Sequence, residues 1–319
     1  VAARYHAHAH AERAAALDLL AAARRQGQVY GEPFGDSSSV YTQRVCALAR
    51  RHATVALSGD GGDEVFAGYR RYRFHALVEG VRRHIPAGLR RHAIGAIARA
   101  WPKLDRLPRP LRFKATFSEL ALDSALGYLR TMTQVQQEAR AALLAPDLAG
   151  YDPTARLIPL MEDAADDPVL AAQRLDLATW LSGRMLVKVD RASMAEGLEV
   201  RCPLLDPALV AWGMALPAGL KLHRGEGKYV FKRALEPLLP REVLYRPKQG
   251  FATSLAPLFR REAGRVRAQL APLRECALFR FPAIEALLAA HEAGHADHAA
   301  TIWLLLVFEG FLAAEAAAA

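Results

Sequence analysis

Ser58-Gly59-Asp60-Gly61-Gly62-Asp63-Glu64 crowds three carboxylates into a turn whose glycines let the backbone bend sharply. Such a loop repels bare phosphate. It does not repel phosphate carried with Mg²⁺, because carboxylate oxygens are the ligands magnesium prefers. The first expectation is therefore a metal–nucleotide or metal–pyrophosphate site. A plainer expectation stands beside it, with Asp63 as a helix cap and Glu64 as a complement to the helix dipole. The second chemical stretch is Gly225-Glu226-Gly227-Lys228, a glycine-flexed loop leading into a helix that should start near Lys228 and stop around Pro240. A lysine at a helix start opposes the dipole unless an anion is held by the ammonium and the free N–H groups together. Arg246-Pro247-Lys248-Gln249-Gly250 is a basic turn and a further candidate anion contact.

Lys188, Asp190, Arg191, Glu199, Arg201 and Asp206 recur through the apolar run from Leu186 to Asp206. They suggest a partly buried ion network, which needs mutual pairing to offset desolvation. Its arginines are also suited to gripping a substrate carboxylate. His291-Glu292-Ala293-Gly294-His295 matches the H-E-x-x-H zinc pattern, but Gly294 weakens the helix that the pattern needs, and zinc is not expected there. His6, His8 and His10 alternate near the chain start without a further ligand signal.

These residues need elements to place them. Thr54-Val55-Ala56-Leu57 reads as a buried parallel strand feeding the acidic loop, in keeping with ligand sites at the carboxyl ends of strands in open α/β sheets. A helical pattern begins at Val65. Residues 11–25 read as an alanine-rich helix and Val40 to Arg51 as another. Leu104 to Pro110 is the most linker-like stretch. Ile284 to Ala314 is mostly helical, and a frayed tail is expected over 314–319.

The chain has 319 residues, is 52% hydrophobic and carries a net charge of +9, enough for a real core in one large domain or two ordinary ones. The basic runs Arg70-Arg71-Tyr72-Arg73 and Arg82-Arg83-His84 come without a zinc-finger, homeodomain or RNP pattern, so no nucleic-acid partner is expected. Cys46, Cys202 and Cys276 are far apart and odd in number, which fits a reducing cytoplasm. The longest apolar run, Ile302 to Val307, is too short for a bilayer, so no membrane partner is expected.

Read together, EPFGDSS, VALSGDGGDEVFAGYRRY, VKVDRASMAEGLEVRCPLLD, GKYVFKRAL, RPKQGF and HEAGHADH…IWLLLVFE run in the order of the synthetase domain of glutamine-dependent asparagine synthetases, and span most of residues 29–309. The chain resembles that family over 1–313, and its wording is similar to bacterial relatives linked to exopolysaccharide and exosortase clusters. The resemblance implies an α/β fold of the PP-loop ATP pyrophosphatase type, a parallel sheet incomplete at the N-terminus with a large helical portion. It implies ATP and Mg²⁺ as cofactors and aspartate, or a similar carboxylate, as acceptor. The carboxylate would be activated as an acyl-adenylate and amidated by ammonia from glutamine. A homodimer is among the assemblies compatible with it.

On the same resemblance, Asp63 would hold Mg²⁺–pyrophosphate, Asp60 would support the acyl-adenylate or the attacking ammonia, and Lys228 would neutralise phosphate charge. Ser58, Gly59, Gly61, Gly62 and Lys248 would line the nucleotide side. Asp36 and Ser37 would face the acceptor, braced by Glu199 and Arg201. The family's Ser-Gly-Gly-x-Asp-Ser nucleotide loop and N-terminal glutaminase domain are missing from these residues. The expectation is therefore a C-terminal part of a longer enzyme, releasing little pyrophosphate by itself. Two alternatives remain: the same chemistry on another carboxylate, exopolysaccharide-linked or β-lactam-type, and a non-catalytic remnant that binds a partner.

Overall fold

Among the described residues, two short parallel strands and many helices build the fold, an α/β arrangement in which helix dominates. The computed structural model describes residues 1–12, 18–101, 113–162, 164, 166–246 and 255–318. The expected linker at Leu104 to Pro110 lies outside the described residues. Strand β1 (Val55–Leu57) pairs in parallel with β2 (Glu199–Arg201), with Val55 opposite Glu199 and Leu57 opposite Arg201.

The strand expected to be buried is buried on one face only. Ala56 and Val200 pack on Cys46, Ala192 and Leu198, supplied by the Ser39–Arg50 and Val187–Met194 helices and the turn before β2. Val55 and Leu57 alternate to the other face, where Leu57 is 72% exposed. A run of apolar residues cannot reveal that only one side has a covering layer.

The helix expected over 11–25 instead spans Leu19–Tyr30. Asp18 fixes its start by accepting from the N–H groups of Leu20 and Ala21, and Gly31 in the left-handed region ends it. This helix crosses Ala299–Ala318 closely. A Cβ on Gly27 would sit 2.8 Å from Phe311 Cα, and one on Gly310 would sit 2.6 Å from Arg24 Cα. Ile302, Trp303, Leu305, Leu306 and Val307 anchor the larger core there, with Leu270, Leu273 and Ile284. Among the described residues Ala299–Ala318 is long and apolar enough to cross a membrane, longer than the run singled out in the sequence, and half of its apolar window is buried in this core. It stays helical to Ala318, so the tail expected to fray is helical up to that residue.

A second core lies under the acidic loop. Ala67, Tyr72, Tyr128, Leu129, Val169, Ala172 and Leu175 pack there. Asp176 is fully buried beside it and accepts from Arg71, Tyr72 and Tyr128. Burial pushes its carboxyl up, against the pull of Arg71 and the hydroxyls. This carboxylate ties the Arg70–Arg82 and Ser124–Met132 helices to the π-helical stretch Asp176–Leu186.

Candidate active site

After β1 the chain turns through Gly61, whose φ of 86° is one that glycine adopts without strain, into a four-residue helix, Gly62–Val65. Gly61 occupies the cap position and no side chain caps this helix, so Asp63 is not the cap of the plainer expectation. Nor does one helix run on from Val65. Phe66 to Tyr69 breaks it, and a new helix spans Arg70–Arg82.

A helix this short leaves its carbonyls to find partners elsewhere. All four from Asp63 to Phe66 find one. Asp63 C=O accepts from Gly68 N–H (2.7 Å) and Phe66 C=O from Lys228 N–H (3.0 Å). The carbonyls of Glu64 and Val65 both accept from the side-chain amide of Gln173, at 2.6 and 2.8 Å.

The bond from Lys228 to Phe66 brings the second chemical stretch onto the first. Lys228 Nζ lies 3.1 Å from Asp63 Oδ1, joining residues far apart in the chain. Gly68 makes the approach feasible, since a Cβ there would fall 2.0 Å from Asp63 Oδ1 and 2.3 Å from Lys228 Cε. Lys228 and Ala67 both hold positive φ, 56° and 53°. Strain of this kind costs roughly 1–3 kcal/mol and persists where the surroundings over-determine it. The helix after Lys228 spans Tyr229–Leu235 rather than reaching Pro240: Glu236 still has helical dihedrals, but Pro237 has no N–H to carry the hydrogen-bond ladder further. Beside the pair opens a cavity of about 810 Å³ lined by Asp63, Arg70, Arg73, Lys228, Lys232 and Tyr245 among others, a cationic lining suited to an anionic ligand.

Asp60 sits at the mouth of the loop, where its carboxylate accepts from Ser58 Oγ at 2.7 Å; Ser58 Oγ also lies 3.3 Å from Cys202 Sγ. Gly59 is exposed and Gly62 is buried against Leu204. Asp36 is 8% exposed and held by Arg184 at 3.2 Å and Lys188 at 3.3 Å, with Ser37 half-buried next to it. Burial works against its charge, yet Arg184, Lys188 and the hydrogen bonds from Ser38 keep its carboxyl below the usual range.

Glu199 and Arg201 pair with each other at the surface, 2.7 Å apart. The partly buried network expected across 188–206 is not formed as one, because its residues sit on a helix, a strand and a loop that face different neighbours. Lys188 turns to Asp36, and Asp206 caps the Pro207–Ala215 helix. Lys248 lies outside the described residues. Among the described residues no group of three or more His, Cys, Asp or Glu side chains is arranged to hold a metal. His291 is buried, accepting from His298 N–H at Nδ1 and lying 3.3 Å from Ala256 C=O at Nε2, while His295 falls beyond the helix end at Glu292.

Sequence reading gave Glu64 to the helix dipole and missed the side chains it meets behind the loop. Glu64 is buried and accepts from Tyr69 Oη at 2.8 Å, and burial raises its carboxyl. Tyr69 in turn takes a hydrogen bond from Trp180 Nε1 at 3.3 Å. Gln173 receives Lys221 Nζ on its carbonyl oxygen at 2.9 Å. Burial draws the Lys221 ammonium down to about 8. A lone lysine within Ala218-Gly219-Leu220-Lys221-Leu222 was the available signal.

The chain matches the family described as asparagine synthase over residues 1–316. It is 35% identical over 284 residues to a Mycobacterium tuberculosis protein provisionally named as a glutamine-hydrolysing asparagine synthetase, covering 87% of this chain and 42% of the relative. It is 29% identical over 283 residues to a Bacillus subtilis glutamine-hydrolysing asparagine synthetase, covering 88% and 43%. The chain thus spans less than half the length of the curated relatives it matches. Its mostly helical α/β architecture is that of a PP-loop synthetase domain.

Proposed function

The chain belongs to the asparagine synthase family, and on that footing we propose that it carries the site at which an ATP-dependent ligase turns a carboxylate, aspartate in the first place, into its amide. The observation that supports this reading most is the 3.1 Å approach of Lys228 to Asp63, which puts a cation and an oxygen ligand within reach of one small ligand.

Asp63 fits a phosphate-borne magnesium ion. Its donors are oxygen, and magnesium is usually held by one or two carboxylates plus substrate phosphates. When bound, that ion neutralises charge on the phosphate oxygens. In the proposed reaction an acceptor carboxylate oxygen attacks the α-phosphorus of ATP, and the bond to the β-phosphate breaks. Lys228 faces the departing diphosphate and offsets the charge that develops on it. Ammonia nitrogen then attacks the acyl carbon, the bond to AMP breaks, and a proton is released. Asp60, oriented by Ser58, is proposed to support that second step. Asp36 and Ser37 are proposed to border the acceptor, with Arg184 as a cation able to grip its carboxylate. Glu199 and Arg201, paired at the surface, are left out of the acceptor contacts. Ammonia from glutamine is proposed because the relatives are named as glutamine-hydrolysing.

A second reading keeps the chemistry and changes the acceptor. The Lys228–Asp63 pair serves it equally, since diphosphate leaves ATP whichever acid is activated.

The test uses protein extended upstream to the length of the matched relatives, with ATP, Mg²⁺, aspartate and glutamine. Pyrophosphate release with asparagine in the mass spectrum is expected. Lys228→Met and Asp63→Ala are each expected to lower turnover by about 10²–10³. Pyrophosphate release only with other acids moves the assignment to the second reading, and none with any carboxylate removes both.

A further inference from the structure

Gln173 and Lys221 take no part in the chemistry just described, yet both are buried, at 0% and 1% exposure. A buried ammonium is costly unless it is well hydrogen-bonded. Lys221 meets two neutral acceptors, Gln173 Oε1 at 2.9 Å and Met214 C=O at 3.1 Å. An apolar side chain of similar length would fill the space at less expense, so packing alone does not account for a lysine.

Its geometry does account for it. An ammonium is a donor only, so Gln173 must turn its oxygen towards Lys221. That leaves the Gln173 amide nitrogen facing the acidic loop, where it bridges the carbonyls of Glu64 and Val65. These are the residues directly after Asp63, at the end of a helix with no further turn to satisfy them. The Pro168–Leu175 helix presents Gln173, and the Ala218–Lys221 helix presents Lys221 only seven positions before Lys228. The same short segment therefore sets the loop from behind and delivers its cation from in front.

We propose that Lys221 and Gln173 are positioning residues, a two-member relay that fixes the acidic loop and with it the placement of Asp63 against Lys228. Neither touches the ligand. The catalytic meaning of the relay rests on the function proposed above, while its effect on the loop does not.

Hydrogen–deuterium exchange of the protein extended upstream as above, read beside calorimetric titration with magnesium pyrophosphate, separates the two. In Gln173→Leu and in Lys221→Met, amides of residues 62–68 and of Lys228 are expected to exchange at least tenfold faster, with amides of Ile302 to Val307 unchanged. Gln173→Glu keeps a partner for Lys221 but cannot donate to the carbonyls, and should loosen the loop as Gln173→Leu does. The double variant should match a single one, as members of one relay do. Magnesium pyrophosphate should bind about tenfold more weakly in each. Unchanged loop exchange, or faster exchange spread evenly over the whole chain, overturns the relay. A looser loop in the variants, with no magnesium pyrophosphate binding by the unaltered extended protein, upholds the relay and counts against the proposed function instead.

Discussion

Asp36 shows how a single side chain can be read for its energetics before its role is known. Two cations and the hydrogen bonds from Ser38 hold it ionised although it is 8% exposed. With its folded pKa below the unfolded value of about 3.9, its stabilisation is complete above that pH. It is lost as pH falls through the folded value. Asp36→Asn should lower unfolding stability by about 3 kcal/mol at pH 7 by leaving the cations without their anion. Urea titrations of both proteins at a series of pH values should show the gap narrowing as pH falls below about 4; a gap that widens on acidification would contradict the assignment. The Lys228–Asp63 pair differs, since both side chains are about a quarter exposed. Partly solvated pairs contribute about 0–1 kcal/mol, so Lys228→Met should impair turnover far more than folding.

The elements were legible in proportion to how local their signals are. Glycines and carboxylates around residue 60 announced a turn, and the Gly225–Lys228 stretch announced a cation, because backbone permissiveness and charge are properties of the residues themselves. The start of the first long helix was missed by several residues, since alanine content is a weaker guide than the cap at Asp18. The exposure of Val55 and Leu57 was not readable, because it depends on what lies over the sheet. Gln173 was invisible for the same reason, and Lys221 showed only as a lone lysine in an apolar run: only the fold brings them together behind the loop. The crossing of Leu19–Tyr30 with Ala299–Ala318 is likewise a matter of space. Gly310→Ala places a methyl 2.6 Å from Arg24 Cα and 2.9 Å from its carbonyl oxygen. Overpacking against backbone typically costs 1–3 kcal/mol, and a drop of about 2 kcal/mol in denaturant unfolding is expected. No change would mean that the helices separate easily.

Across the whole molecule, one core organises the terminal helices and another underlies the acidic loop. Phe66 joins the loop to the later chain, stacking on Phe231 with ring centroids 4.9 Å apart and accepting from Lys228 N–H. Asp63 and Lys228 therefore answer each other across the loop. Diphosphate arriving by itself would strand a carboxylate beside a polyanion, and magnesium arriving by itself would strand an ammonium beside a dication. Only the complex exchanges both partners at once, leaving no charge unanswered. On the proposed function, the pair would thus favour the two arriving together. Calorimetry should give heat with magnesium and diphosphate together and almost none with either component separately.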